Sequence, residues 1–106
     1  MFVQTETTPN PNSLKFLPGK IVSNDGSYEI TKKNSLKNDL VSNILSINGV
    51  TSVFLSSNFI SVNKENNISW DDVKHIVISF INEYYESGKE FVIDKDFDEN
   101  KTNENL

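Results

Sequence analysis

The side chains of this chain that could do chemistry are few. His75 is the only histidine, there is no cysteine, and the basic residues are ten lysines with no arginine. His75 stands beside Lys74, off any apolar stripe, with no second imidazole and no local ligand set, which reads as a solvated residue rather than a metal ligand. Asp71 and Asp72 are adjacent carboxylates at the head of a helix. Neighbouring positions there point apart and favour the positive end of the helix dipole, so capping explains them better than paired acid and base. Ser69 and Ser79 lack the strand-turn-helix setting of an activated serine. The carboxylates from Asp94 to Glu99 lack the glycine and the spacing of a calcium loop. An iron-sulfur cluster needs four protein ligands, mostly thiolates, and this chain offers none. The sequence therefore reads as a non-enzyme with no cofactor of its own, and its function falls to its surface.

Composition narrows the partners. A net charge of −5 over 106 residues with no arginine argues against holding nucleic acid through its phosphates. No apolar run is long enough to span a membrane, and Met1 leads directly into strand-like sequence without a signal or an Arg-rich presequence. The expectation is a bacterial cytoplasmic protein, or a mitochondrial matrix one if a presequence has been trimmed. A chain of this length makes one core without staples.

The elements that would position a surface begin with Phe2 to Thr7, an extended run, and Ser13 to Leu17, a second one stopped by Pro18 and Gly19. Between them Thr8 to Asn12 reads Thr-Pro-Asn-Pro-Asn. Two prolines fix φ and push Thr8 and Asn10 into extended geometry, so this elbow is stiff before any tertiary contact forms. Residues Lys20 to Lys33 are polar, with a turn signal at Asn24-Asp25-Gly26 and a short strand at Tyr28-Glu29-Ile30. From Ser35, the spacing of Leu36, Leu40, Ile44 and Ile47 predicts a helix capped by Asn34 or Ser35 and closed by Gly49. Val50 to Ser56 and Phe59 to Lys64 predict an antiparallel hairpin. Ser69 as N-cap, Asp72 as its capping-box acid and Ile68 as a staple onto Val73 start a second helix. Its stripe is Trp70, Val73, Val77, Phe80, Ile81 and Tyr84, and it ends near Gly88.

This order, β-β-α-β-β-α, predicts an α+β two-layer sandwich: an antiparallel sheet of about four strands with two helices on one face. Alternation puts Val53, Leu55, Ile60 and Val62 toward the helices and Phe54 and Phe59 on the opposite face. Those two rings need cover from the Lys20 to Lys33 segment, from Phe91-Val92-Ile93 or from a partner. Thr8, Asn10 and Asn12 are poised either to hydrogen-bond within the elbow or to meet a partner. Residues 1–88 are expected to form the domain, with 89–106 an acidic tail or interdomain linker, largely disordered.

Gln4-Thr5-Glu6, Thr8-Pro9-Asn10-Pro11-Asn12, Leu14-Lys15-Phe16 and Pro18-Gly19 resemble the opening of the N-terminal domain of Nfu-type (NifU-like) iron-sulfur scaffold proteins. The likeness continues through Ile47-Asn48-Gly49-Val50, Val53-Phe54, Asn58 to Val62, and Trp70. In that family the cluster sits on a C-x-x-C motif in a separate C-terminal module, which this chain does not contain. The resemblance implies a companion domain that recognises iron-sulfur client or assembly proteins while the missing module carries the cluster. The alternative is a stand-alone α+β adaptor that binds a protein partner and has no role in iron-sulfur assembly.

Overall fold

The computed structural model describes residues 2–23, 26–32 and 38–88. The Phe91 to Ile93 segment, the acidic tail, Leu36 and the caps proposed at Asn34 and Ser35 lie outside them. In chain order the elements are β1 (Gln4–Thr7), β2 (Ser13–Leu17), β3 (Tyr28–Thr31), α1 (Asp39–Leu45), β4 (Val50–Leu55), β5 (Ile60–Lys64) and α2 (Trp70–Glu86). The strands form one antiparallel sheet in the order β1-β2-β5-β4-β3. The architecture is the expected α+β sandwich with five strands instead of about four, because Tyr28 to Thr31 pairs along β4 as an edge strand.

Alternation along the strands builds the core. Phe16, Val53, Leu55, Ile60 and Val62 are fully buried, and they meet Val73, Val77 and Ile81 of α2 and Leu40, Val41 and Ile44 of α1 in one cluster. The three α2 residues recur at a spacing of four, one helical face, and the paired strand residues at a spacing of two. A bulge between Val50 and Ser52 lets two residues of β4 face Lys64. Val50 thus stays inside while Thr51 turns out.

Both ends of α1 differ from what the spacing predicts, while the start of α2 agrees with it. Ser69 caps α2, its side chain accepting from the Asp71 N–H at 3.1 Å. The cap of α1 is Asn38, whose Oδ1 accepts from the Val41 N–H and whose Nδ2 donates to Tyr84 Oη on α2, both at 3.1 Å. This asparagine ties the two helices together while it starts one of them. Gly49 does not close α1, which ends at Leu45 with Ser46 as its cap. It lies instead in the following turn at φ +96°, with its Cα packed beneath Ile68, where a Cβ would collide with the Ile68 side chain.

Candidate interaction surface

Helices cover one face of the sheet, and the opposite face carries the residues that alternate with the core. Register sets them in rows. Glu6 pairs with Lys15, Lys15 with Ser61, Ser61 with Phe54, and Phe54 with Glu29, so one row crosses all five strands. One step toward the β4–β5 turn, Leu17 and Phe59 lie just past the Phe16–Ile60 pair. The rings of Phe54 and Phe59 are 6.1 Å apart at a tilt of 33°, within the range in which aromatic pairs attract. Lys15 Nζ sits 4.4 Å from the Phe59 ring centroid, a cation-π contact. All four side chains, Lys15, Leu17, Phe54 and Phe59, are only half-buried.

The described contacts of the Lys20 to Lys33 segment run to the core and α2, to the β4–β5 turn, and along β4 through β3. Val22 is fully buried in the core, the Tyr85 hydroxyl on α2 donates to the Ile21 carbonyl at 3.3 Å, and the Val22 N–H donates to Ser57 O at 2.8 Å. Ile21 and Val22 thus lie toward the helices at that end of the sandwich. Burial raises the Tyr85 hydroxyl from its ordinary 10.0 to about 12, with the neighbouring Tyr84 adding to the shift.

The other half of the face is polar and internally bonded: Ser13 and Ser61 hydroxyls lie 3.0 Å apart, and Asn63 Nδ2 donates to Ser52 Oγ at 2.8 Å. Beyond it lies the elbow, about four residues or roughly 13 Å along the strands from Phe59. Its side chains bond within the fold. Thr8 Oγ1 donates to Asn10 O at 2.9 Å and accepts from the Asn10 N–H at 3.1 Å, and Asn10 Oδ1 accepts from the Asn12 N–H at 2.9 Å. Asn12 reaches further, its carbonyl accepting from the Lys64 N–H and its Oδ1 from Lys64 Nζ at 3.1 Å. Trp70 Nε1 closes the same corner by donating to Pro11 O at 2.9 Å, while its ring stands edge-on to Phe16 and carries Lys64 Nζ at 5.4 Å. The five residues singled out from sequence therefore fall at two ends of the molecule.

Lys15 and Leu17 are the members of the aromatic patch that sequence reasoning missed. Their parity with Ser13 on β2 was legible, but their place beside Phe59 depends on which strand pairs with β2. That strand is β5, remote in sequence. Lys64 was also unread: by alternation it belongs to the core, and it is 8% exposed, with its ammonium held by Asn12 Oδ1 and Glu65 O.

His75, Asp71 and Asp72 are exposed, and no three histidine or carboxylate side chains gather as a metal would require among the described residues. With no cysteine in the sequence, the donor set does not fit an iron-sulfur cluster. A shallow cavity of about 280 Å³ between α1 and α2 is lined by Asp39, Ser42, Phe80, Glu83 and Tyr84, without an imidazole to activate a hydroxyl. No described helix is long and apolar enough to cross a membrane.

Comparison with known proteins gives this geometry a context. Residues 3–88 match the family model described as the scaffold protein Nfu/NifU N terminal. The chain is 40% identical over 95 residues to NifU-like protein 4, mitochondrial, of Arabidopsis thaliana, covering 89% of this chain and 34% of that protein. It is 38% identical over 97 residues to the human NFU1 iron-sulfur cluster scaffold homolog, mitochondrial, covering 90% of this chain and 38% of that protein. It thus spans about a third of the length of these relatives. A solution structure of a NifU-like protein from Saccharomyces cerevisiae superimposes with a TM-score of 0.74 at 26% identity, over 90% of this chain and 86% of that one. The crystal structure of Staphylococcus aureus protein SAV1430 gives 0.68 at 30% identity, over 76% of this chain and 99% of that one. With its motifs, its sandwich and the match over residues 3–88 in agreement, this chain belongs to the family of Nfu/NifU scaffold N-terminal domains.

Proposed function

We propose that this is the non-catalytic recognition domain of an Nfu-type iron-sulfur scaffold, docking client or assembly proteins while a C-x-x-C module outside this chain carries the cluster. The observation that carries the reading is the half-buried Phe54–Phe59 pair with Lys15 and Leu17, on the sheet face away from the helices. Aromatic rings gain most when fully desolvated, and a partner laid on this face would complete that. Thr8, Asn10 and Asn12 serve the surface indirectly, by stiffening the far end of the sheet. Residues 1–88 act as the recognition unit and 89–106 as the tether to the cluster-bearing module. A tether raises the local concentration of cluster near a docked client without any new contact. The compartment follows that of the clients: the mitochondrion, as the names of the relatives state for those proteins, or the cytoplasm of a bacterium.

Affinity capture with the purified chain as bait tests this. Recovery of cluster-assembly or cluster-requiring proteins is the expected result. A reproducible set of partners that contains neither would favour the stand-alone adaptor.

A further inference from the structure

Asn48 is the only asparagine followed by glycine in this asparagine-rich chain. It stands on the surface in the turn that carries α1 into β4. The Val50 N–H donates to Ile47 O at 3.1 Å across that turn. Gly49 has φ +96° and Asn48 does not have a positive φ, the pattern of a type II turn with glycine at its third position. The peptide unit between Asn48 and Gly49 makes no hydrogen bond through either its C=O or its N–H among the described residues. Its rotation therefore breaks no protein hydrogen bond, and glycine accepts the φ on either side of the rotation.

We propose that Asn48 is a site of spontaneous deamidation and isoaspartate formation in the folded protein. Rotation of the free peptide unit brings the Gly49 nitrogen toward Asn48 Cγ. The nitrogen gives up its proton to hydroxide and attacks, the N–Cγ bond forms, the Cγ–Nδ2 bond breaks, and Nδ2 leaves as ammonia with a proton from water. The product is a five-membered succinimide. Water then opens one of its two carbonyls, giving aspartate, or isoaspartate in which the main chain runs through the side-chain carbon. No electrons are exchanged and water is the only co-reactant.

Glycine is what makes both steps accessible here, since it places no side chain in the path of attack and tolerates the rotated turn. Other exposed asparagines lack this neighbour: Asn58 precedes Phe59, and Asn67 precedes the β-branched Ile68. The product carries one more negative charge. In the isoaspartyl form one extra methylene enters a turn whose Gly49 O accepts from the Glu65 N–H at 2.8 Å and whose Cα packs under Ile68. Both contacts fix where β4 begins.

The test is incubation of the full chain at pH 8 and 37 °C, followed by peptide mass mapping and enzymatic methylation of isoaspartate. The expected result is a gain of one mass unit confined to the peptide holding Asn48, with methylation there, and neither change in Asn48→Gln or Asn48→Ser. The rate in folded protein is expected within about tenfold of that in urea, a gap of no more than about 1.4 kcal/mol. An unchanged Asn48 peptide, modification spread equally over Asn58 and Asn67, or a folded-state rate suppressed beyond that factor would overturn the proposal.

Discussion

The two faces of this sheet are made by the same strands and could hardly be more different. On the helix side Phe16, Val53, Leu55, Ile60 and Val62 are closed off from water. On the other, Lys15, Leu17, Phe54 and Phe59 are their immediate neighbours in sequence and remain half-buried. One face already has its partner, the helix pair, and the other holds large apolar groups that are only partly buried. A face that served solubility alone would carry polar residues throughout, as the Ser13, Ser52, Ser61 and Asn63 end does. The fold is thus held mainly by one side of the sheet, and it is on the other that the proposed function places recognition.

Breaking the closed face has the largest expected effect. Phe16→Ala is predicted to cost about 3–5 kcal/mol in urea unfolding, because the ring fills the core and stands edge-on to Trp70. Gly49→Ala comes next. The left-handed backbone alone costs roughly 1–2 kcal/mol for a residue with a Cβ, and the added methyl must also displace Ile68. Asn38→Ala removes the α1 cap and its link to Tyr84, an expected loss of about 1–2 kcal/mol by the same measurement. On the open face, Phe54→Ser and Phe59→Ser should each lose about 1–2 kcal/mol, since a partly exposed ring forfeits only part of its transfer free energy.

The last effect is a pH dependence, absent near neutrality and confined to alkaline solution. With the Tyr85 hydroxyl at about 12 in the folded chain against 10.0 when unfolded, the unfolded state releases its proton first as pH rises. Its contribution to stability is complete below pH 10 and is lost between pH 10 and about 12. Tyr85→Phe should flatten that part of the stability profile, and the ultraviolet titration of the wild-type phenolate should show one late transition that the variant lacks.

How much of this was legible in the sequence follows the range of the forces involved. The elbow, the Ser69 cap and the split of Phe54 and Phe59 from Val53 and Ile60 are local or follow from a period of two, and all three could be read directly. The fifth strand was half-seen, because Tyr28 to Thr31 is too short to declare itself without β4 beside it. The cap at Asn38 was missed because its decisive partners include Tyr84, 46 positions away. Lys15 over Phe59 needed the β2–β5 register, which no local pattern encodes, and Lys64 over Trp70 needed the placement of α2 against β5. The candidate surface was therefore legible as two rings and illegible as a patch.

The most direct test of the open face as the recognition surface is calorimetric titration of a captured iron-sulfur partner against three versions of the chain: wild type, Phe54→Ser/Phe59→Ser, and Ile76→Ser on the exposed face of α2. The predicted result is a loss of affinity of at least about tenfold for the sheet-face variant, with the helix-face variant matching wild type. Equal binding by wild type and the Phe54→Ser/Phe59→Ser chain, with both folded, would contradict the account.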